Sequence, residues 1–252
     1  MNVAPQTTIT AFSPRRLHLA KSLIPILLAF LTVAGRAGAA EPPDWEKTIQ
    51  AFEEQDRRQP PEPGGVLFLG SSTIRLWNTA KAFPELHTIN RGFGGSQIAD
   101  SLKFAERIVI PCKPRLILLY AGDNDIAAGK SPERVLSDFK ALVEKIHAAL
   151  PETRIAFISI KPSPSRWKHI EAQRKANSLV EEFIPTDRRL SYIDVVQPML
   201  DDKGEPRAEL FQKDMLHLND EGYKLWNSIV KPRLTGVAPG SHQCAGLETG
   251  FP

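Results

Sequence analysis

The stretch VLFLGSSTIRLW, residues 66–77, begins as a run of four apolar residues and continues through a glycine and two serines into a helical segment. A short run that is apolar at every position is typical of a strand buried on both faces of a parallel sheet. Ligands of parallel α/β folds bind at the carboxyl ends of such strands. Two interpretations of Ser71 and Ser72 follow: a serine that caps the next helix, or a serine that acts as a nucleophile.

The rest of the chain repeats this alternation of apolar strands and amphipathic helices. Strands are predicted at 66–69, 87–90, 115–120, 154–160 and 190–196. Helices are predicted at 44–58, 97–109, 131–150, 166–184 and 219–234. Strands that alternate with helices in this way indicate an α/β fold, with a parallel sheet covered by helices on both faces.

The N-terminal segment has the pattern of a secretory signal peptide. Three basic residues precede the apolar run 22–35, and an A-x-A-like sequence follows at 36–43. The alternative is a membrane anchor, but the run is short for a bilayer and Pro25 interrupts it. The pattern therefore predicts cleavage near Ala39 or Ala40, a periplasmic or secreted protein, and no stable membrane insertion after cleavage; the export route stays open.

The remaining chain divides into three predicted parts. After the signal peptide (1–40) come an N-terminal helix and linker (41–64), one α/β domain (65–234) and a glycine-rich, flexible tail (235–252). The two cysteines, Cys112 and Cys244, are too few for a disulfide scaffold, and whether they pair stays open.

The net charge excludes one class of function. The whole chain carries +3, but the first forty residues hold four basic and no acidic residues, so the remainder carries −1. Binding of nucleic acid needs a clustered basic face. No nucleic-acid partner is therefore expected.

Small or polar residues follow every predicted strand. They stand at 70–72, 91–97, 121–125 and 161–165, and at 213–219 just before the last helix. Because the carboxyl ends of parallel strands meet at one edge, these segments are expected to form one site.

The chemistry that these residues offer is acyl transfer. A serine hydroxyl needs a base, which His217 can supply, and Asp214 can orient that base. The N–H groups of Ser72 and Gly95 and the amide of Asn124 can bind the oxyanion. Each residue alone also has an ordinary structural interpretation, as a helix cap, a turn or a buried histidine. Their order at successive strand ends is what favours a site.

Other motifs are incomplete. The chain has no G-x-S-x-G elbow, no full P-loop around GKS at 129–131, no dinucleotide fingerprint and no histidine pair with metal-ligand spacing. None of these motifs therefore points to a different class of site.

Four segments together resemble the SGNH (GDSL-type) serine hydrolases. They are FLGSSTI, NRGFGG, GDND and DMLHLN, beginning at residues 68, 90, 122 and 214, within a resemblance that spans 66–234. It implies Ser72 as nucleophile, Gly95 and Asn124 with the Ser72 N–H as oxyanion hole, and Asp214 and His217 as the other catalytic residues. One departure is Ser71, where the family usually has aspartate, and it leaves two adjacent serines as candidates.

The resemblance also implies a fold and an activity. The fold is a flavodoxin-like three-layer α/β/α sandwich around a five-stranded parallel sheet, without metal or cofactor. The activity is that of an exported serine esterase for acyl or acetyl esters of small molecules, glycans or lipids. The alternatives are a non-catalytic envelope glycan-binding protein and an acyltransferase with the same triad. Substrate, acyl length and oligomeric state stay open.

Further polar and aromatic residues near these segments have two interpretations each. The cations could bind an anionic group or form structural ion pairs, and the tryptophans could line an aromatic subsite or pack in the core. They are Arg75, Arg91, Lys161 and Arg166, and Trp77 and Trp167.

Overall fold

The structure, a computed structural model, describes residues 44–234. The predicted signal peptide and the predicted flexible tail lie outside the described residues. So does Cys244, which leaves its pairing with Cys112 untested. Cys112 itself is buried and has no disulfide partner among residues 44–234.

Five parallel strands form the central sheet in the order β2-β1-β3-β4-β5. This is the flavodoxin-like strand order. The strands are β1 (Val66–Gly70), β2 (Thr88–Gly92), β3 (Leu116–Tyr120), β4 (Arg154–Ile158) and β5 (Leu190–Ile193). Gly70 at the end of β1 is opposite Gly92 on one side and Tyr120 on the other, so three strands end at the same level.

Helices cover both faces of this sheet, as predicted. They are α1 (Glu46–Arg58), α2 (Ser72–Arg75), α3 (Thr79–Ala82), α4 (Ile98–Ile108), α5 (Asp123–Ala127), α6 (Pro132–Ala149), α7 (Ile170–Phe183) and α8 (Asp220–Leu234). None of these described helices has the length and apolar character that crossing a bilayer requires. The three-layer α/β/α architecture predicted from the sequence is confirmed.

Two separate hydrophobic cores explain why the strands are apolar at every position. In β1, Leu67 and Leu69 pack into the core beneath α1, α4, α6 and α7. Val66 and Phe68 point to the opposite face and pack beneath α2, α3 and α8. Since successive side chains of a strand point to opposite faces, each face needs its own set of apolar residues.

The fourth strand is shorter than predicted, because side-chain hydrogen bonds replace its ladder. It ends at Ile158, although the apolar run continues to Ile160. There the amide of Asn177 accepts from the Ile160 N–H at 2.8 Å and donates to the Ile160 carbonyl at 3.0 Å. Both backbone groups of Ile160 are therefore satisfied by α7 instead of by a neighbouring strand.

A close backbone approach at Gly92 fixes α2 against the end of β2. An alanine Cβ at Gly92 would lie 2.1 Å from the Arg75 backbone nitrogen, whereas one at Gly94 would meet the Arg75 side chain at 3.1 Å and no backbone atom of that residue. We expect Gly92→Ala to lower the free energy of unfolding by about 2–4 kcal/mol, because backbone atoms must separate. Gly94→Ala is the matched control. Urea unfolding followed by circular dichroism measures both, and equal stabilities would contradict this packing.

Candidate active site

Ser72 is the first residue of α2 and lies directly beyond the end of β1. The N-cap position belongs to Ser71, whose backbone is extended and whose side chain is buried without making a capping hydrogen bond. The interpretation of Ser72 as a helix cap is therefore not what the geometry shows. Its hydroxyl instead contacts a histidine 145 residues away in sequence.

His217 lies between Ser72 and Asp214. Its Nε2 is 2.9 Å from Ser72 Oγ, and its Nδ1 is 2.5 Å from Asp214 Oδ2. The side chain of His217 is 24% exposed, so the imidazole is open to a ligand from one side. With its Nδ1–H held by the carboxylate, the imidazole presents an unprotonated Nε2 to the serine hydroxyl.

A tight turn positions Asp214 beneath the imidazole. Met215 adopts a left-handed backbone conformation with φ +54°, which is uncommon outside glycine. The turn lets Asp214 Oδ1 accept the N–H groups of Leu216 and His217, both at 3.0 Å. Partial burial acts against the charged carboxylate, but these hydrogen bonds and the one from the His217 ring lower the pKa of Asp214 to about 2. Asp214 is therefore ionised at neutral pH.

Two backbone N–H groups at the edge of the sheet have no acceptor among the described residues. The N–H of Ser72 is in the first turn of α2, where no intrahelical acceptor exists. Gly95 has φ +80°, a conformation that glycine adopts without strain, and its N–H also makes no hydrogen bond within residues 44–234. Both groups remain available to an anionic oxygen.

Hydrogen bonds between loops bring Asn124 to the same edge. The carbonyl of Gly70 accepts the Phe93 N–H at 2.9 Å and the Ser96 hydroxyl at 3.3 Å, so the loop after β2 is held against the end of β1. Asn124, in α5, then donates one Nδ2 hydrogen to the Ser96 carbonyl at 3.0 Å. The second hydrogen of that amide is left for a ligand. β1 and β3 flank the point where the strand order reverses, the usual ligand site of such sheets.

Two flanking residues have structural roles. The guanidinium of Arg91 is buried, pairs with Asp56 and donates to the Ile108 carbonyl. Trp77 is also buried and donates its Nε1–H to Asn227 at 2.8 Å. Arg91 is enclosed, so ion pairing is the interpretation that holds for it. Trp77 packs in the core beneath α2 and α8, and it also borders a surface cavity.

The supports of Asn124 are what sequence reasoning missed. Arg166 donates from Nη2 to Asn124 Oδ1 at 2.9 Å, and Asp123 is paired with Arg166 and Lys161. Sequence analysis placed Arg166 and Lys161 after β4 as possible anion ligands. One signal in the sequence could have indicated this role. Lys161 and Arg166 follow β4, and GDND follows β3, the neighbouring strand of the sheet.

An open cavity of about 570 Å³ adjoins α2 on the side of α8. Its lining includes Leu76, four residues after Ser72, and Tyr223, whose hydroxyl donates to the Thr73 carbonyl at 2.8 Å. The lining does not include Ser72 or His217. Within residues 44–234 no group of three or more His, Cys, Asp or Glu side chains is arranged to hold a metal ion.

Comparison with known proteins agrees with this architecture. Platelet-activating factor acetylhydrolase IB subunit alpha1 of Bos taurus is 24% identical over 186 residues, which cover 71% of this chain and 77% of that protein. A GDSL-like lipase from Bacteroides thetaiotaomicron superposes with a TM-score of 0.64 at 20% identity, covering 74% of this chain and 97% of that one. For a lipase/acylhydrolase from Enterococcus faecalis the TM-score is 0.57 at 19% identity, covering 71% and 99%.

The family model that matches is the one described as GDSL-like Lipase/Acylhydrolase, over residues 75–225. This range includes Gly95, Asn124, Asp214 and His217 and begins three residues after Ser72. The position of Ser72 thus rests on the geometry around its hydroxyl. The chain belongs to the GDSL-like lipase/acylhydrolase family.

Proposed function

We propose that this protein is a serine esterase that hydrolyses carboxylic esters through an acyl-enzyme intermediate. The observation that carries the proposal is the hydrogen-bonded series from Ser72 through His217 to Asp214. This is the arrangement in which a histidine can take the proton of a serine hydroxyl while a carboxylate orients it. The membership of the family supports acyl hydrolysis as the class of reaction.

The reaction proceeds in two halves. Ser72 Oγ attacks the ester carbonyl carbon while its proton passes to His217 Nε2. As the tetrahedral intermediate collapses, His217 gives that proton to the leaving alcohol, and the acyl group stays on Ser72. Water then attacks the acyl-enzyme and passes a proton to His217, which returns it to Ser72 as the carboxylic acid leaves.

Asp214 has an electrostatic and an orienting part in both halves. Its carboxylate holds the Nδ1–H of His217, which fixes the tautomer, and it stabilises the imidazolium that forms in each half-reaction. A pKa of about 2 keeps this charge in place throughout the neutral pH range.

The negative charge on the substrate oxygen is bound by three donors: the N–H groups of Ser72 and Gly95 and the amide of Asn124. We expect Asn124→Ala to lower kcat about 10²- to 10³-fold, equivalent to about 3–4 kcal/mol of transition-state stabilisation. The measurement is steady-state kinetics on an aryl ester, with circular dichroism as the check that the variant is folded. A folded variant with near-normal kcat would remove Asn124 from the mechanism.

The substrate that we favour is an ester with a short acyl group, such as acetyl. The cattle relative bears the name of an acetylhydrolase, which supports this choice.

The test compares the chain from Glu41 onward with its Ser72→Ala variant on p-nitrophenyl esters from acetate to octanoate. We expect hydrolysis that is fastest for acetate and absent in the variant. Fastest turnover of the octanoate ester would contradict the preference for a short acyl group, but the proposal of a serine esterase would stand. An alcohol acceptor added to the assay separates hydrolysis from acyl transfer, because a transferase forms the new ester in preference to the free acid.

We also propose that the enzyme is exported and cleaved, on the pattern of residues 1–40. N-terminal sequencing of the protein recovered from a periplasmic fraction tests this. A new N-terminus at residue 40 or 41 is expected. Retention of Met1, or recovery of the chain only from the cytoplasm, would contradict it.

A further inference from the structure

Arg166 contacts the side-chain oxygen of Asn124, whereas the proposed oxyanion donor is the Nδ2 group of the same amide. It lies in the 3₁₀ segment Pro164–His169 that follows β4, and its side chain is 19% exposed. One guanidinium nitrogen, Nη2, donates to Asn124 Oδ1 at 2.9 Å, and the other, Nη1, lies 2.6 Å from Asp123 Oδ1. The planar fork thus spans two consecutive residues of α5.

The partner that holds this fork is buried. Asp123 also contacts Lys161 Nζ at 3.3 Å and accepts from Gln173 Nε2 at 3.2 Å. Burial acts to raise the pKa of Asp123, but the cations Lys161 and Arg166 outweigh it, so the pKa of that carboxyl is lowered. An ionised, enclosed carboxylate with partners on several sides fixes the guanidinium in one place.

The contact with Arg166 determines which way the Asn124 amide points. A reversed amide would place its NH₂ group against the guanidinium, donor against donor, and its oxygen against the Ser96 carbonyl, acceptor against acceptor. Both contacts are satisfied only when Oδ1 faces Arg166 and Nδ2 faces Ser96 and the site. The positive charge of the Arg166 guanidinium beside Oδ1 also polarises the amide, which strengthens its N–H as a donor.

We propose that Arg166 is a positioning residue, which orients and polarises the Asn124 amide as the side-chain donor of the oxyanion hole. This inference rests on the proposed function, since it concerns the donor that acts in that reaction. Arg166 itself touches neither the serine nor the substrate oxygen in this account. Its effect passes through Asn124 alone.

Because Arg166 acts only through Asn124, removing Arg166 should cost no more activity than removing Asn124. Arg166→Met removes the fork but leaves Asp123 paired with Lys161, and it should lower kcat about 10- to 100-fold, a loss no larger than that of Asn124→Ala. KM should change little, because an oxyanion donor acts mainly on the transition state. Arg166→Lys keeps the charge without the planar fork and should restore part of the loss.

Arg174→Gln is the matched control. Arg174 lies on the next helix, stacks over Trp167 and pairs with Glu171, without contact to Asn124. Its removal should leave kcat unchanged.

A double-mutant cycle tests the route through Asn124. In the Asn124→Ala background, Arg166→Met should cause no further fall in kcat, because the group that it positions is gone. A fall of the same factor in both backgrounds would overturn the proposal, and so would a folded Arg166→Met enzyme with normal kcat. If Arg166→Met does not fold, Arg166→Lys is carried through the same cycle with the same two criteria.

Failure of this inference and failure of the proposed function are distinguishable. If Ser72→Ala retains activity, the serine mechanism itself is wrong. If activity depends on Ser72 and Asn124 but not on Arg166, only the positioning role is wrong.

Discussion

Ser72→Ala is expected to lower kcat for ester hydrolysis by about 10⁶-fold, to the level of residual, non-nucleophilic catalysis. The substitution removes one oxygen atom and leaves the imidazole and carboxylate in place. The fall in kcat therefore measures the contribution of the nucleophile. The alanine also retains the backbone N–H of the oxyanion hole. The measurement is release of p-nitrophenol under saturating substrate, with enzyme purified free of host esterases.

Ser71→Ala is the matched control for this prediction, because the two serines are neighbours and only Ser72 reaches the histidine. The Ser71 side chain is buried and makes no capping bond, so its loss should leave most of the activity. The reverse outcome, in which Ser71→Ala is inactive and Ser72→Ala is active, would place the nucleophile one residue earlier.

His217→Ala is expected to be as damaging as Ser72→Ala, about 10⁶-fold in kcat, because a serine without its base is a poor nucleophile. The two substitutions should not add: a variant with both should be no slower than either alone, since the residues act as one unit. Steady-state kinetics on the single and double variants gives this comparison.

The control for that prediction is His87→Ala. His87 is exposed and stands immediately before β2, at the end of the strand away from the site. Loss of activity in His87→Ala, or independent losses for Ser72 and His217, would contradict a shared proton-transfer unit.

The fold was predictable because its signals are local. Each strand is a short apolar run that ends at small or polar residues, and each long helix has an apolar stripe. Helix α6 also has a clear start signal, Ser131 followed by Pro132. Because both faces of the sheet must be buried, the apolar runs are continuous, and this distinguishes them from the helices, which are apolar on one side. The five strands, the five long helices and the layer order all follow from this.

Boundaries that depend on distant partners were not predictable. The end of β4 is set by Asn177, seventeen residues further along, which takes over the hydrogen bonds of Ile160. The short helix α5 begins within GDND, a sequence that is equally typical of a turn. The sequence does not show which of these partners will be close.

The site was predictable to the same degree. Ser72, Gly95 and Asn124 follow β1, β2 and β3, and Asp214 and His217 stand just before α8, as the sequence analysis placed them. The catalytic roles given to these residues are part of the proposed function. The role of Arg166 was not visible, because a cation after a strand has many possible partners. Only the contact with both Asp123 and Asn124 distinguishes it from a ligand for an anionic substrate.

Mapping of a fluorophosphonate adduct tests most directly whether Ser72 is an activated nucleophile. The enzyme is treated with the probe, digested, and the peptide that carries both serines is fragmented in a mass spectrometer. We expect one adduct per chain on Ser72, and none on the His217→Ala variant in the same reaction time. An adduct on Ser71, or equal labelling with and without His217, would contradict this role of Ser72.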